Sequence, residues 1–364
     1  MAPRVELHAG RPGSLDTLQT TAFDERLDQA LSALIAGVEA SALARSDDDL
    51  PLYGLIRYHL GQVDQHFGPA RSDAGKRVRP RLCVMSCEAL GGNGELAMPV
   101  AAAIEMIHNF TLIHDDIQDQ SELRRHRPTV WALWGTAQAI NAGDALFALA
   151  HLMLHTTRDL GVDPATVLDL STELHHTTLR IVEGQALDLS FEDRHEVSPQ
   201  EYLTMIGGKT AAIIRFACLA GATVAGADED TAAHLAAFGQ SLGMGFQIRD
   251  DLLGVWGKPA QTGKPEADDI RRRKKSLPIL LLHDRLSDAD WERVSGYYRQ
   301  PELTDAQVEE VLALLNHHQI APRVQAEVQR WHDDAIAHLT AAIPDPAARA
   351  PLQSLADALV ERQA

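Results

Sequence analysis

Cysteine is scarce in this chain, basic charge is outweighed, and no apolar run is long and unbroken; each shortage removes a class of protein. Three cysteines, Cys83, Cys87 and Cys218, occur among 364 residues. They form neither an even disulfide framework nor a CxxC pair, and the histidines offer no matching zinc spacing, so a reduced compartment fits. Cys83 and Cys87, four apart, share one helical face with apolar neighbours and are expected to be core residues rather than redox or metal groups. Lysine and arginine total 33 against 51 aspartates and glutamates, a net charge of -18. Such a field repels a phosphate backbone, which argues against a nucleic-acid partner. The first twenty residues lack the apolar core of a signal peptide, and no later stretch has eighteen uninterrupted apolar residues. The expectation is a soluble, cytoplasmic protein without a membrane span. Also missing are a Gly/Ser linker, a repeat, a low-complexity block and a convincing period-two run for a strand.

What remains is helix. Hydrophobic residues make up 45% of the chain, enough to bury a large core. The apolar period is helical nearly throughout, as at Leu27, Leu31 and Leu34 and in the Ala/Leu run from Ala142 to Leu154. Local starts agree: Asp163 before Pro164, the capping box of Ser198 and Glu201 around Pro199, and Thr304 with Gln307. Breakers fall at Gly91 to Gly94, Gly161, Gly207 with Gly208, and Gly257 to Pro265. The chain is therefore read as all-α. Residues 1–22 form a loose lead and 23–364 one large helical domain, in which the more charged residues 284–364 could form a peripheral subdomain.

The run HDDIQDQSELRR carries Asp115, Asp116 and Asp119, then Arg124 and Arg125. At about 100° per residue on a helix, Asp115 and Asp119 lie about 40° apart and Asp116 about 100° from Asp115, so three carboxylates share one face. Carboxylates crowded in this way raise one another's pKa unless a hard divalent cation sits among them. Magnesium suits, and because it is usually held by one or two carboxylates plus a phosphate, the adjacent arginines suggest a diphosphate ligand. The alternative is a solvated acidic face. A second pair, Asp250 and Asp251 in GMGFQIRDDLLGVWG, lies in an apolar helix with Gln247 one turn before Asp251. Aspartates are seldom placed there unless paired or bound to a cation. Basic residues stand where a diphosphate would need them: Lys76, Arg77 and Arg79 in GKRVRP, Lys209 with Thr210 in GGKT, and Lys264, Lys274 and Lys275 beside Asp268 and Asp269. The GGKT is not a P-loop, since it lacks the earlier glycine and follows a helical stretch.

In order, these pieces resemble the trans-isoprenyl diphosphate synthase family, the polyprenyl synthetases. The blocks are GKRVRP, IEMIHNFTLIHDDIQD with LRR, AGD at 142–144, GQALD at 184–188, GGKT, FQIRDD and the GK to KKS segment, over roughly residues 70–280. The resemblance implies an all-helical isoprenoid synthase fold with a central cavity, the aspartate motifs facing across it, and a homodimer. It assigns Asp115, Asp119 and Asp250 to three magnesium ions holding an allylic diphosphate, with Asp116 and Asp251 in support and Lys209 among the catalytic groups. Arg124, Lys209, Thr210, Gln247 and Lys264 match the allylic diphosphate contacts. Lys76, Arg79, His108 and Arg125 match the isopentenyl diphosphate site; a lone histidine in IEMIHNF is more often a core residue, but its place seven residues before Asp115 is the family position, which favours the ligand role.

The resemblance implies a prenyltransferase joining an allylic diphosphate to isopentenyl diphosphate. Phe110 lies five residues, about 1.4 helical turns, before Asp115, where its ring would project into the path of a growing chain; the alternative is simple core packing. An aromatic there is similar to the short-chain enzymes, geranylgeranyl or farnesyl diphosphate synthase, with C20 favoured and C15 next. Two positions depart from the family pattern. Gly254 replaces the last aspartate of the second motif, and Ala267 stands where glycine is usual. A terpene cyclase on the same fold would need only the metal site, and a noncatalytic regulatory subunit would be expected to lose first-motif aspartates. Keeping the isopentenyl residues and all the aspartates of the first motif favours elongation.

Overall fold

The computed structural model describes residues 15–40, 52–73, 75–194, 196–258 and 265–360. Lys264 lies outside them. Regular structure among the described residues is helical apart from one small ribbon, so the all-α reading holds. In order come α1 (Leu15–Ala40), α2 (Leu52–His59), α3 (Val78–Ala89), α4 (Gly94–Gln118), β1 (Leu123–Arg124), β2 (Arg127–Pro128), α5 (Val130–Trp134), α6 (Thr136–His155), α7 (Pro164–Asp193), α8 (Pro199–Ile206), α9 (Ala212–Val224) and α10 (Glu229–Trp256). The chain continues with α11 (Asp268–Arg271), α12 (Leu277–His283), α13 (Asp288–Tyr298), α14 (Asp305–His317), α15 (Ile320–Ala342) and α16 (Pro346–Val360). Helix α1 begins inside the stretch read from sequence as a lead.

The described residues fall into two compact units, one from Met1–Arg81 with Ala101–Met153 and one from Leu82–Val100 with Leu154–Ala364. In the first, helical periodicity buries Leu27, Leu31 and Ile35 of α1, Ile104 and Ile107 of α4, and Leu146 and Leu149 of α6. Arg77 is structural here. Its guanidinium bonds the Asp24 carbonyl at 3.0 Å and the Asp28 carboxylate at 2.5 Å on α1, which leaves Lys76 and Arg79 of GKRVRP for other work.

In the second unit α10 packs against α9 and α15, and Ile248, Leu252, Val324 and Val328 join one apolar core. Each such side chain, fully buried, contributes about 1.5–3 kcal/mol. The expected helix starts are present: Asp163 caps α7, and Ser198 with Glu201 and Thr304 with Gln307 form capping boxes. Gly207 and Gly208 do not break the helix as read from sequence. The chain runs on from α8 to α9 through a single π turn, Gly207–Ala211. Those glycines serve a helix crossing instead. A Cβ at Gly208 would lie 2.5 Å from the Arg180 carbonyl, and one at Gly184 of α7 would lie 2.2 Å from the Lys209 nitrogen.

Helix α4 and the continuous helix Pro199–Val224 are long and apolar enough to cross a membrane, but 72% and 61% of their apolar windows are buried inside the protein, as in core helices. Cys83, Cys87 and Cys218 are free and buried. Burial pushes the Cys87 thiol up to about 11 and the Cys218 thiol up to about 12, so they stay protonated and inert.

Candidate active site

The first unit carries the first aspartate motif at the C-terminal end of α4. Negative charge is unfavourable at that end, where helix carbonyls already point outward, so three aspartates there make a strongly cation-seeking tip. Asp115 is half-buried, Asp119 exposed and Asp116 only 2% exposed. Arg124 holds Asp116 through both Nε and Nη2, each 2.8 Å from Oδ1. The other oxygen, Oδ2, is buried with no hydrogen-bond partner among the described residues. Burial raises the Asp116 carboxyl above the usual range while Arg124 opposes the rise.

Arg124 and Arg125 owe their placement to the ribbon, which sequence reading missed because two-residue strands leave no period. Arg124 pairs with Arg127, so Arg125 and His126 form a two-residue loop. Their φ values of 50° and 61° are both left-handed, as a type I′ hairpin turn requires, and neither residue is the glycine or asparagine such a turn prefers. Strain of this kind concentrates at functional sites.

Beside the ribbon, Arg79 Nη1 lies 3.3 Å from His108 Nε2. Arginine can only donate, so Nε2 accepts and the proton is assigned to Nδ1. Burial, then Arg79 and Arg125, holds His108 well below the ordinary histidine range. His59, absent from the sequence reading, is a second neutral imidazole. Burial, then Arg124 and Arg125, pushes it down to about 3. Beneath lies buried Glu105, bonded by Asn109 at 3.0 Å. Arg79, His108 and Arg125 are thus brought into one electrostatic cluster, while Lys76 is exposed.

Phe110 is half-buried with its edge to His114, centroids 4.9 Å apart, and it lies 5.5 Å from Phe147, which in turn meets His151 at 4.8 Å. Gly143 of the AGD block lets His114 approach, since a Cβ there would lie 2.3 Å from Nε2.

The second unit carries the second motif on α10. Asp251, 1% exposed, accepts from the Tyr202 hydroxyl at 2.5 Å, Gln247 Nε2 at 3.0 Å and Lys274 Nζ at 3.1 Å. Thr210 donates to Gln247 Oε1 at 2.8 Å, so Thr210, Gln247 and Asp251 form one chain of bonds. Asp250 is half-buried beside it. Lys209 projects from the π turn and pairs with Asp188 of GQALD at 2.5 Å; single π turns often mark functional positions.

Gly254, where an aspartate was expected, is explained by a neighbour. A Cβ there would lie 2.4 Å from the Asp269 carboxyl carbon, so Asp269 occupies that space. Ala267 adopts the left-handed φ of 54° that a glycine would. The RRRKK stretch, Arg271 to Lys275, is pinned in this structure: Arg271 to Asp305, Arg273 to the Gln300 carbonyl, Lys274 to Asp251 and Lys275 to the end of α7.

Among the described residues no three His, Cys, Asp or Glu groups converge tightly enough to cage a metal alone. The carboxylates of the first motif fit magnesium, which completes its shell with water and substrate phosphate and needs no all-protein cage.

Fold and residue set together define an all-α protein of the isoprenoid synthase type. The chain belongs to the polyprenyl synthetase family, which matches residues 64–315. It is 44% identical over 225 residues to the (2E,6E)-farnesyl diphosphate synthase of Mycobacterium tuberculosis, covering 62% of this chain and 61% of that protein. It is 38% identical over 313 residues to the geranylgeranyl diphosphate synthase of the same organism, covering 86% of this chain and 87% of that one. It also resembles the crystal structure of polyprenyl synthetase from Streptomyces coelicolor A3(2), with a TM-score of 0.81 at 37% identity over 93% of this chain and 99% of that one. The geranylgeranyl pyrophosphate synthase from Corynebacterium glutamicum, complexed with isoprenyl diphosphate and magnesium, gives 0.79 at 26% identity over 94% and 99%.

Proposed function

We propose that this chain is a trans-prenyltransferase that extends an allylic diphosphate with isopentenyl diphosphate to a short all-trans prenyl diphosphate, C20 favoured and C15 next. Support comes from the family, and from relatives named for C15 and C20 products. The observation that carries elongation over cyclisation is the cluster of Arg79, His108 and Arg125 around two neutral imidazoles, a cationic site that a cyclase does not need.

In this reading Asp115, Asp119 and Asp250 are the ligands of magnesium, three ions in all, with Asp116 and Asp251 in support. A magnesium complex of a relative supports the choice of a divalent ion. When bound, the metal neutralises negative charge on the diphosphate. Arg124, Lys209, Thr210 and Gln247 bind and orient the allylic diphosphate, as would Lys264, while Lys76, Arg79, His108 and Arg125 hold isopentenyl diphosphate. These charge-assisted bonds strengthen as the allylic C–O bond breaks and pyrophosphate leaves with the electron pair. The isopentenyl double bond then forms the new C–C bond to the allylic cation. Loss of a proton to the released pyrophosphate restores an alkene five carbons longer. Apolar walls exclude the water that would quench the cation, and Phe110 backed by Phe147 sets the floor.

A homodimer fits the exposed stripe of Leu168, Leu179 and Val182, 67%, 58% and 50% accessible along one face of α7, since such a patch favours burial in a partner. Free, buried cysteines fit a cytoplasmic setting. The test is His108→Ala with Arg79→Met. Each should raise KM for isopentenyl diphosphate tenfold or more with the allylic KM within about twofold; equal changes for both substrates would overturn the assignment.

A further inference from the structure

Arg273 and Lys275 flank Lys274 in sequence but serve a different place. Both border a cavity of about 400 Å³ that includes none of the residues assigned above. Arg194 and Arg299 border it too, each paired with a carboxylate outside the lining, Glu201 and Glu292, so four cationic side chains surround a cavity whose lining holds one carboxylate, Glu192. In a chain of net charge -18, that local reversal of sign is a focused attraction for an anion. Arg273 Nη1 donates to the Gln300 carbonyl at 2.5 Å, and Lys275 Nζ to the Glu192 carbonyl at 3.0 Å. Carbonyl partners hold both side chains in place.

Two further donors border the cavity. Arg273 Nε and the Tyr298 hydroxyl are both buried with no hydrogen-bond partner among the described residues. A buried donor left unsatisfied is costly, and a ligand oxygen relieves that cost. Another part of the wall is apolar: Ile279 and Leu280 of α12, and Trp291 of α13, whose indole stacks on His283 with centroids 4.0 Å apart. Cations with unsatisfied donors on one part of the wall and aliphatic and aromatic surface on another call for an amphiphile. The volume lies within the range of small-molecule sites.

We propose that this cavity is a second ligand site that takes an aliphatic phosphate ester. The phosphate lies against Arg273 and Tyr298 among the other cations, and the chain along Ile279, Leu280 and Trp291. Lys274, between the two cavity-lining cations in sequence, has its ammonium 3.1 Å from Asp251, so the segment that borders the cavity also contacts the second aspartate motif.

Two sources share this chemistry, an isoprenoid phosphate and a phosphate with a straight alkyl chain. The test is calorimetric titration of the full chain in EDTA, without divalent cation, using farnesyl monophosphate, dodecyl phosphate, inorganic phosphate and farnesol as separate probes. Removing the metal makes the result independent of the catalytic reading. One saturable site for farnesyl monophosphate is expected. It should weaken tenfold or more in Ser295→Trp, which fills the cavity, and in Arg299→Glu, which reverses a charge. Both variants should keep the wild-type circular dichroism spectrum and thermal midpoint. Equal binding of dodecyl phosphate would assign the site to alkyl phosphates in general, and a tenfold preference for the farnesyl ester to isoprenoids. Absence of saturable binding in EDTA, binding unchanged in both variants, or farnesol or inorganic phosphate binding as tightly as the ester would overturn the proposal.

Discussion

Lowering the pH from 7.5 to 5 should cost this protein stability at one identifiable histidine. His59 is pushed down to about 3 by burial and by Arg124, Arg125 and Arg127, whereas in the unfolded chain it titrates near 6.5. Below about pH 6.5 the unfolded state takes up a proton that the folded state refuses, so the contribution is complete above that pH and is lost as the pH falls toward 3. At pH 5 the loss is about 2 kcal/mol, from about 1.36 kcal/mol per tenfold excess of protonation in the unfolded chain. At pH 7.5 it is negligible. His108, depressed for the same reasons, adds in the same direction. Urea unfolding followed by tryptophan fluorescence at the two pH values measures the loss, and His59→Asn, neutral throughout, should lose about 2 kcal/mol less than wild type. Equal losses in both proteins would refute the reasoning. In the proposed reading the neutral state has a functional sense: a protonated imidazole would add to the repulsion among arginines of which Arg124 and Arg125 bind the diphosphates.

Phe110→Ala should lengthen the product by about one isoprene unit; because Phe147 stands 5.5 Å behind it, adding Phe147→Ala should lengthen it further, as sizing of dephosphorylated products would show. An unchanged distribution in both variants would mean that Phe110 only packs the core. Gly184→Ala places a Cβ 2.2 Å from the Lys209 nitrogen, so it should destabilise by about 3 kcal/mol or more and uncouple Lys209 from Asp188, read as a lowered melting temperature and lost turnover. His126→Gly relieves a left-handed φ of 61° worth about 1–2 kcal/mol, against about 0.4–1 kcal/mol of added unfolded-state entropy, so the urea midpoint should rise slightly. A fall would show that the His126 side chain holds the loop.

Local signals read well from the sequence because their causes are local. Asp163 before Pro164, Ser198 with Glu201 and Thr304 with Gln307 cap their helices as the residue types dictate. Asp115 and Asp116 of the first motif fall in the last turn of α4, with Asp119 just past its end and its amide bonded to the Asp115 carbonyl at 2.8 Å. Gly207 and Gly208 misled because a glycine pair that breaks an isolated helix can instead admit a neighbour, here α7 at Gly184. The partners that fix the site were less legible. Tyr202 reaches Asp251 across 49 residues and Lys274 reaches it across 23, and only the fold sets such distances. Asp269 filling the space above Gly254 shows the same limit: a missing motif residue is visible in one dimension, and its replacement only in three.

The most direct measurement of the central reading is to incubate the purified chain with magnesium, isopentenyl diphosphate and, in turn, dimethylallyl, geranyl and farnesyl diphosphate, then size the dephosphorylated products. The reading predicts linear all-trans alcohols ending at C20, or at C15, formed only with both substrates and abolished by EDTA. Cyclic hydrocarbon made from the allylic substrate alone, or no elongation with any starter, would contradict it.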